Sequence, residues 1–339
     1  MGVNMTRRMI PFLLFPVLFV FTAFGGLHAA QPYYQGKMIT INVGNPPGGG
    51  YDRISRLLAK HLPKHIPGKP VFIVQNVVGA GSLIACNQLY NMTKPDGLTI
   101  VAPQRAVPFA QLMKVEGARF DVTKFSWIGS VASEATLLAI RSDLPYKSFK
   151  DAMKAKEPIP VGGVGPSTSN YQFPMILKEF LGLNIKMVIY PSGTACLLAI
   201  EQKETDGVAA SYSVLKPLID RGLLRPLIRG RASEPGIENL PINEDLCPTK
   251  LGKTIMSMLA AVDTIGRPYI AAPGNPREQM NILINAFIQV TRDPEMIEDC
   301  KKFGMNLNYL SGEECLKTIQ YILSQPEDVV KEFSKYVQF

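Results

Sequence analysis

The chain has 339 residues, is 46% hydrophobic and 19% charged, and sets 36 basic side chains against 28 acidic ones. That length allows two lobes of ordinary size, and the modest, dispersed positive excess suits an anionic solute. No basic run is interleaved with aromatics, so nucleic acid is set aside as a partner.

The N-terminal residues 1–30 read as a signal peptide rather than as part of the fold. Arg7 and Arg8 precede an almost wholly apolar run, residues 9–24. Gly25, Gly26, Ala29 and Ala30 then supply small residues before Gln31. Pro11 and Pro16 weaken the competing reading of a membrane anchor. Export across the inner membrane with cleavage is expected, leaving a net charge near +6 once Arg7 and Arg8 are removed. Cysteines at 86, 196, 247, 300 and 315 lack metal-ligand spacing. Most are expected to be buried thiols, with one disulfide left open.

Strand and helix patterns then alternate. Residues 38–43 are β-branched and apolar, a strand; 45–50 form a Pro/Gly turn; 51–62 carry Ile54, Leu57, Leu58 and Leu62 at helical spacing. A strand over 71–74, a turn over 79–81, a helix over 82–90 and a strand over 98–102 follow. The theme repeats with strands at 137–140, 160–164, 187–190, 207–210, 225–228 and 270–272. Helices are expected over 148–155, after 169, after 194, over 251–266 and from 275 onward, with a break at 304–310. Such alternation implies an α/β fold with a parallel, doubly wound sheet.

Three turns share one design, an apolar strand, small residues, then a helix: 46–52, 79–82 and 165–169. A shorter one spans 192–194. At the carboxyl ends of parallel strands such turns face ligands, and a helix start offers unpaired N–H groups. The run Pro46-Pro47-Gly48-Gly49-Gly50 is the most specific of them. It is not a phosphate loop, because no Gly-Lys-Ser/Thr follows. Each turn taken singly also reads as ordinary loop punctuation. Asp52 reads as a helix cap, as a group that orients a ligand, or as both. Gln104 and Arg105 follow the third strand; Arg105 reads as a carboxylate partner or, more plainly, as a solvated surface residue. His61 and His65 read as exposed histidines, a metal site needing more ligands. No nucleophile has an evident base, so no catalytic residue, metal or cofactor is assigned.

Taken in order, the turns resemble the substrate-binding proteins of tripartite tricarboxylate transporters, the Bug family. Pro46-Pro47-Gly48-Gly49-Gly50-Tyr51-Asp52 is similar to the family's P-P-G-G-x-x-D, and Asn76-Val77-Val78-Gly79-Ala80-Gly81 to its N-x-x-G-A-G. Pro95-Asp96-Gly97-Leu98-Thr99 is similar to P-D-G-x-T, the segment 163–169 to G-x-G-x-x-S, and 271–276 to A-P-x-x-x-P. Tyr190-Pro191-Ser192-Gly193 departs from the usual Y-K-G. The resemblance implies a two-lobed periplasmic binding protein of type II, a Venus flytrap, each lobe a mostly parallel sheet flanked by helices. Residues 31–140 plus 265–339 would form lobe 1 and 141–264 lobe 2. It further implies a monomeric, non-enzymatic receptor for a small carboxylate that works with a membrane permease of one large and one small subunit. A ligand-presenting sensor and an enzyme on a similar scaffold are the rival readings. Carried over by position, the ligand residues are Pro47, Gly48, Gly49, Tyr51, Asp52, Gly79, Ala80, Gly81 and Ser82 in lobe 1. Gln104 and Arg105 join them. Ser167, Thr168, Ser169, Tyr190 and Ser192 come from lobe 2.

Overall fold

Six strands form the first sheet, and the alternation along one of its inner strands shows why. In β1 (Met38–Val43) Ile39, Ile41 and Val43 are fully buried on one face, the period-two pattern of a strand packed on a core. The structure, a computed structural model, describes residues 1–2, 31–166 and 168–338. Nearly all of the expected export signal, and Ser167, lie outside the described residues.

From β1 the chain runs through α1 (Gly50–His61), β2 (Val71–Asn76), α2 (Leu83–Asn91), β3 (Thr99–Ala102), α3 (Val107–Leu112) and β4 (Ser126–Ser130). It then crosses to a second sheet: β5 (Thr136–Arg141), α4 (Phe149–Ala152), β6 (Ile159–Gly163), α5 (Ser169–Leu181), β7 (Ile185–Ile189), α6 (Gly193–Glu201), β8 (Gly207–Ser211), α7 (Tyr212–Asp220) and β9 (Leu224–Arg229). The short α8 (Asn243–Leu246) and long α9 (Lys250–Ile265) lead back. β10 (Pro268–Ala271), α10 (Arg277–Val290), α11 (Pro294–Lys301), β11 (Leu310–Ser311), α12 (Gly312–Leu323) and α13 (Glu327–Phe333) complete the chain.

The strand orders are β11-β4-β10-β3-β1-β2 and β7-β6-β8-β5-β9. Both sheets are mixed rather than mostly parallel. In the first, β1 is parallel to β2 and β3, whereas β10 runs against β3 and β4, and β11 against β4. In the second, β6 is parallel to β7 and β8, while β5 opposes β8 and β9. The antiparallel pairs β4–β10 and β5–β9 flank the crossings. The chain leaves the first sheet at Ser130 and re-enters at Pro268, which pair directly. An exit and an entry placed side by side require opposed strands. The same holds for Leu137 and Arg229 in the second sheet. β5 belongs wholly to that second sheet, whereas the sequence reading ended lobe 1 at residue 140. β4 and β11 escaped the sequence reading. β4 is Ser-Trp-Ile-Gly-Ser, with little β-branched character, and β11 has two residues.

Apolar cores fill both faces of each sheet. Ile54 and Leu58, one turn apart on α1, join β1 and α10 on one face of the first sheet. Trp127 and Ile319 belong to the opposite core. A further cluster ties Phe109 of α3, Ile176 of α5, Ile255 of α9, Ile322 of α12 and Phe333 of α13 together. The C-terminal helices therefore bridge elements of both sheets. All five cysteines are buried and free, so burial sets the chemistry of these thiols; it pushes the Cys86 thiol up to about 12.

The two crossings touch at Gly266. Its backbone is left-handed, with φ +61°, and a Cβ there would run into the carbonyl oxygen of Ala132. Arg267 N donates to Ala132 O at 2.9 Å and Glu134 N to Asp263 O at 2.9 Å, so the crossings are laced together. Gly266→Ala is expected to cost roughly 3 kcal/mol through left-handed strain and overpacking. Urea unfolding measures it; unchanged stability would mean the crossings are not in contact.

Candidate ligand-binding cleft

A cavity of about 1390 Å³ lies between the loops of the two sheets. The turn after β1 forms one wall. Pro47, Gly48, Gly49, Gly50 and Tyr51 line it. Gly48 takes φ +80°, which glycine adopts without penalty. Gly49 is the N-cap of α1 and brings no side chain to the cap. The first N–H groups of α1, at Gly50, Tyr51 and Asp52, have no partner within the helix, and they carry the positive end of its dipole.

Asp52 is not in the cavity wall. It is buried and works from behind the turn, accepting from Gly48 N at 2.8 Å, Arg56 Nε at 3.0 Å and Asn76 Nδ2 at 3.0 Å. Burial pushes its carboxyl up, but Arg56, Gly48 and Asn76 outweigh it and hold the group below its ordinary value. Gly79, Ala80, Gly81 and Ser82 are likewise absent from the wall. Ala80, Gly81 and Ser82 take φ +44°, +59° and +77° in succession, which costs about 1–2 kcal/mol for each non-glycine residue. The return is a latch. The fully buried Ser82 Oγ donates to Gly44 O at 2.9 Å and accepts from Gln104 N at 3.0 Å. A Cβ on Gly44 would overlap that hydroxyl. Ser82 thus joins the ends of β1, α2 and β3 and fixes the loops that do line the cleft.

Gln104 and Arg105 line the cavity. Arg105 is not solvated; its side chain is 10% exposed. Its Nη2 pairs with Asp263 Oδ1 at 2.8 Å and donates to Thr136 Oγ1 at 3.1 Å, and Nη1 lies 3.7 Å from Glu134 Oε2. Glu134 in turn pairs with Arg267 Nε. These four residues form one buried, charge-balanced chain across both crossings. Burial pushes Glu134 up, but Arg267 and Arg105 overcome it and keep the carboxyl below its ordinary value of 4.5. Burial dominates at Asp263 and raises it, with Arg105 opposing.

Arg267 completes the first wall. Its guanidinium lies 5.6 Å from the Tyr51 ring centroid. It rests on Gly50 so closely that a Cβ there would collide with it. The side chain is 4% exposed, yet Nη1 has no hydrogen-bond partner among the described residues. Tyr51 OH donates to Gly266 O at 2.9 Å and accepts from Arg105 N at 3.0 Å, tying the turn to the crossing.

Thr168, Ser169 and Ser192 line the opposite wall. Thr168 Oγ1 donates to Gly165 O at 2.6 Å, and Ser192 caps α6 by accepting from Ala195 N at 3.1 Å. Tyr190 does not line the cavity; its hydroxyl reaches Glu204 Oε2 at 3.4 Å. Sequence reasoning missed Glu134, Thr136, Asp263 and Arg267. The signal was there: Glu134 is the one charged residue between Lys124 and Arg141, and Asp263 the one between Lys253 and Arg267. A lone charge in an apolar run needs a buried partner.

A model of the tripartite tricarboxylate transporter family receptor matches residues 54–334. The chain belongs to this family. Its members are solute-binding proteins, not enzymes. Over 303 residues it is 23% identical to a UPF0065 protein of Bordetella pertussis, covering 88% of this chain and 90% of that relative. The structure of the periplasmic binding protein BugD superposes with TM-score 0.67 at 19% identity, over 89% of this chain and 98% of BugD. MatC of Rhodopseudomonas palustris, solved with malate, gives TM-score 0.66 at 16% identity, over 87% and 99% of the two chains. A second R. palustris protein, Rpa4515, solved with adipate, gives 0.67 at 19%, over 88% and 98%.

Glu134→Gln is expected to cost about 3–5 kcal/mol near neutral pH, because it leaves Arg267 buried without its counter-charge. The sign of the pH effect follows from the lowered Glu134 carboxyl: its stabilisation is fully present above its ordinary value of 4.5 and is lost as pH falls through the lower folded value. The variant's stability therefore falls less steeply with acid. Urea melts at pH 7 and pH 4 measure both effects; equal slopes for the two proteins would contradict the pairing.

Proposed function

We propose that this receptor works in the periplasm. There it captures a small dicarboxylate in the cleft between two lobes and hands it to a membrane permease of one large and one small subunit. The carrying observation is the convergence of two donor sets on one wall. The N–H groups at the start of α1, which no side chain caps, sit beside the buried Arg267, whose Nη1 has no partner among the described residues. A carboxylate takes both, since an anion at a helix start is favoured and a guanidinium matches its geometry. Malate in MatC and adipate in Rpa4515 support the solute class. The export signal expected over residues 1–30 supports the compartment. Thr168, Ser169 and Ser192 face the distal end of the solute, and Asp52 and Ser82 act by holding the first wall in shape. The lobes rock about the crossings at residues 131–135 and 266–267, and ligand shifts the balance toward the closed form.

The test is a thermal-shift screen of malate, adipate and citrate followed by calorimetry. A ligand at 100 times its Kd adds about 2.7 kcal/mol of stability. Arg267→Met is expected to weaken the best carboxylate by about 30-fold or more, roughly 2 kcal/mol. Gly50→Ala, which pushes the guanidinium away, weakens it in the same direction. No carboxylate binding, or full affinity in both variants, would sink the proposal.

A further inference from the structure

His61 and His65 lie away from the cleft wall, at the end of α1 and in the 3-10 turn Leu62–His65 that follows. No further ligands lie near them along the chain; the fold supplies them from α11 and its N-cap, Asp293. Contrary to the exposed reading, His61 is 2% exposed. Its Nε2 sits 2.9 Å from Asp299 Oδ2, and its Nδ1 faces Glu295 Oε2 at 3.9 Å, beyond hydrogen-bond range. His65 Nε2 sits 2.8 Å from Asp293 Oδ2. One ligand atom each from His61, Asp293 and Glu295 all lie within 4.8 Å of one another.

The arrangement favours a cation at this cluster. Asp299 also holds two ammonium groups, Lys60 at 2.7 Å and Lys302 at 2.8 Å. Its contact with Nε2 holds the His61 ring so that Nδ1 faces Glu295. Two carboxylates gathered this close repel unless a positive centre stands between them. In this structure Lys64 supplies one, with Nζ 2.6 Å from Asp293 and 3.0 Å from Glu295. Lys64 is 38% exposed on a flexible stem and is free to swing into water. A carboxylate–histidine pair with the second nitrogen free is the arrangement that orients a metal-binding histidine.

We propose that His61 Nδ1, Asp293 and Glu295 form a binding site for a divalent transition ion, with Zn²⁺ the best match, which enters by displacing Lys64. One imidazole and two carboxylates suit Zn²⁺ and leave a fourth position for water. Two carboxylates and one neutral imidazole balance its charge. The ion staples the end of α1, whose first turn forms the cleft wall, to α11, whose last residue Lys301 also lines the cavity. It therefore stiffens the frame of the ligand site without touching ligand.

Calorimetry of the tag-free protein with ZnCl₂ and MgCl₂ tests this. One saturable Zn²⁺ site per chain is expected, with none for Mg²⁺. Asp299→Asn should weaken it about 10–100-fold by releasing the His61 ring. Glu295→Gln, at a side chain 78% exposed and so without consequence for folding, should weaken it comparably, by roughly tenfold or more. Lys64→Gln should tighten it, because the competing cation is gone. No saturable Zn²⁺ binding, an equal Mg²⁺ isotherm, or an affinity that Glu295→Gln and Lys64→Gln leave unchanged would overturn the proposal.

Discussion

The buried chain of Asp263, Arg105, Glu134 and Arg267 is the constraint on which the cleft depends. Its members come from α9, the loop after β3, the outward crossing and the return crossing. Each acid touches an arginine, so the chain is neutral, and all four side chains are at most 10% exposed. Removing charges from water costs several kcal/mol per ion, and mutual attraction recovers that only with close geometry and further hydrogen bonds. Thr136 supplies one such bond to Arg105. A buried ionic chain adds little net stability over an apolar filling. What it adds here is placement, because a guanidinium gripped by Nε alone keeps its terminal nitrogens aimed in a fixed direction.

That direction meets the Pro46–Asp52 turn. Gly50 has no side chain because Arg267 occupies the space, and Tyr51 covers the guanidinium while reaching both Gly266 and Arg105. Gly49 leaves the helix start without a side-chain cap. The three glycines therefore answer three separate demands: a left-handed turn at Gly48, an open cap at Gly49 and close packing at Gly50. Behind them, the strained run Ala80–Ser82 keeps its shape because the Ser82 hydroxyl is satisfied on both sides.

Much of the strand-and-helix order was legible, because β1, β3 and α1 carry clear periodicities. The mixed character of the sheets was not. Strand direction follows from where the chain crosses and returns, and that is a long-range property of Ser130 and Pro268 rather than of any local pattern. β4 was invisible for a local reason, since serine and glycine flank Trp127 and Ile128. At the site, the turn residues stood out by composition, but their division of labour did not. Sequence could not separate Gly48 and Gly49, which line the cleft, from Asp52 and Ser82, which hold it from behind. The arginines were the larger miss. Arg105 reads in sequence as a surface residue because its partners, Glu134 and Asp263, lie far along the chain. His61 reads in sequence as exposed for the same reason, since Asp299 is 238 residues away.

On the proposed function, a carboxylate is held jointly by the start of α1 and the guanidinium of Arg267. A crystal structure of the protein with its best-binding dicarboxylate tests it most directly. One carboxylate is expected within about 3 Å of both the Gly50–Tyr51 N–H groups and a terminal nitrogen of Arg267. A carboxylate bound only by the Thr168–Ser192 wall, with Arg267 untouched, would contradict it.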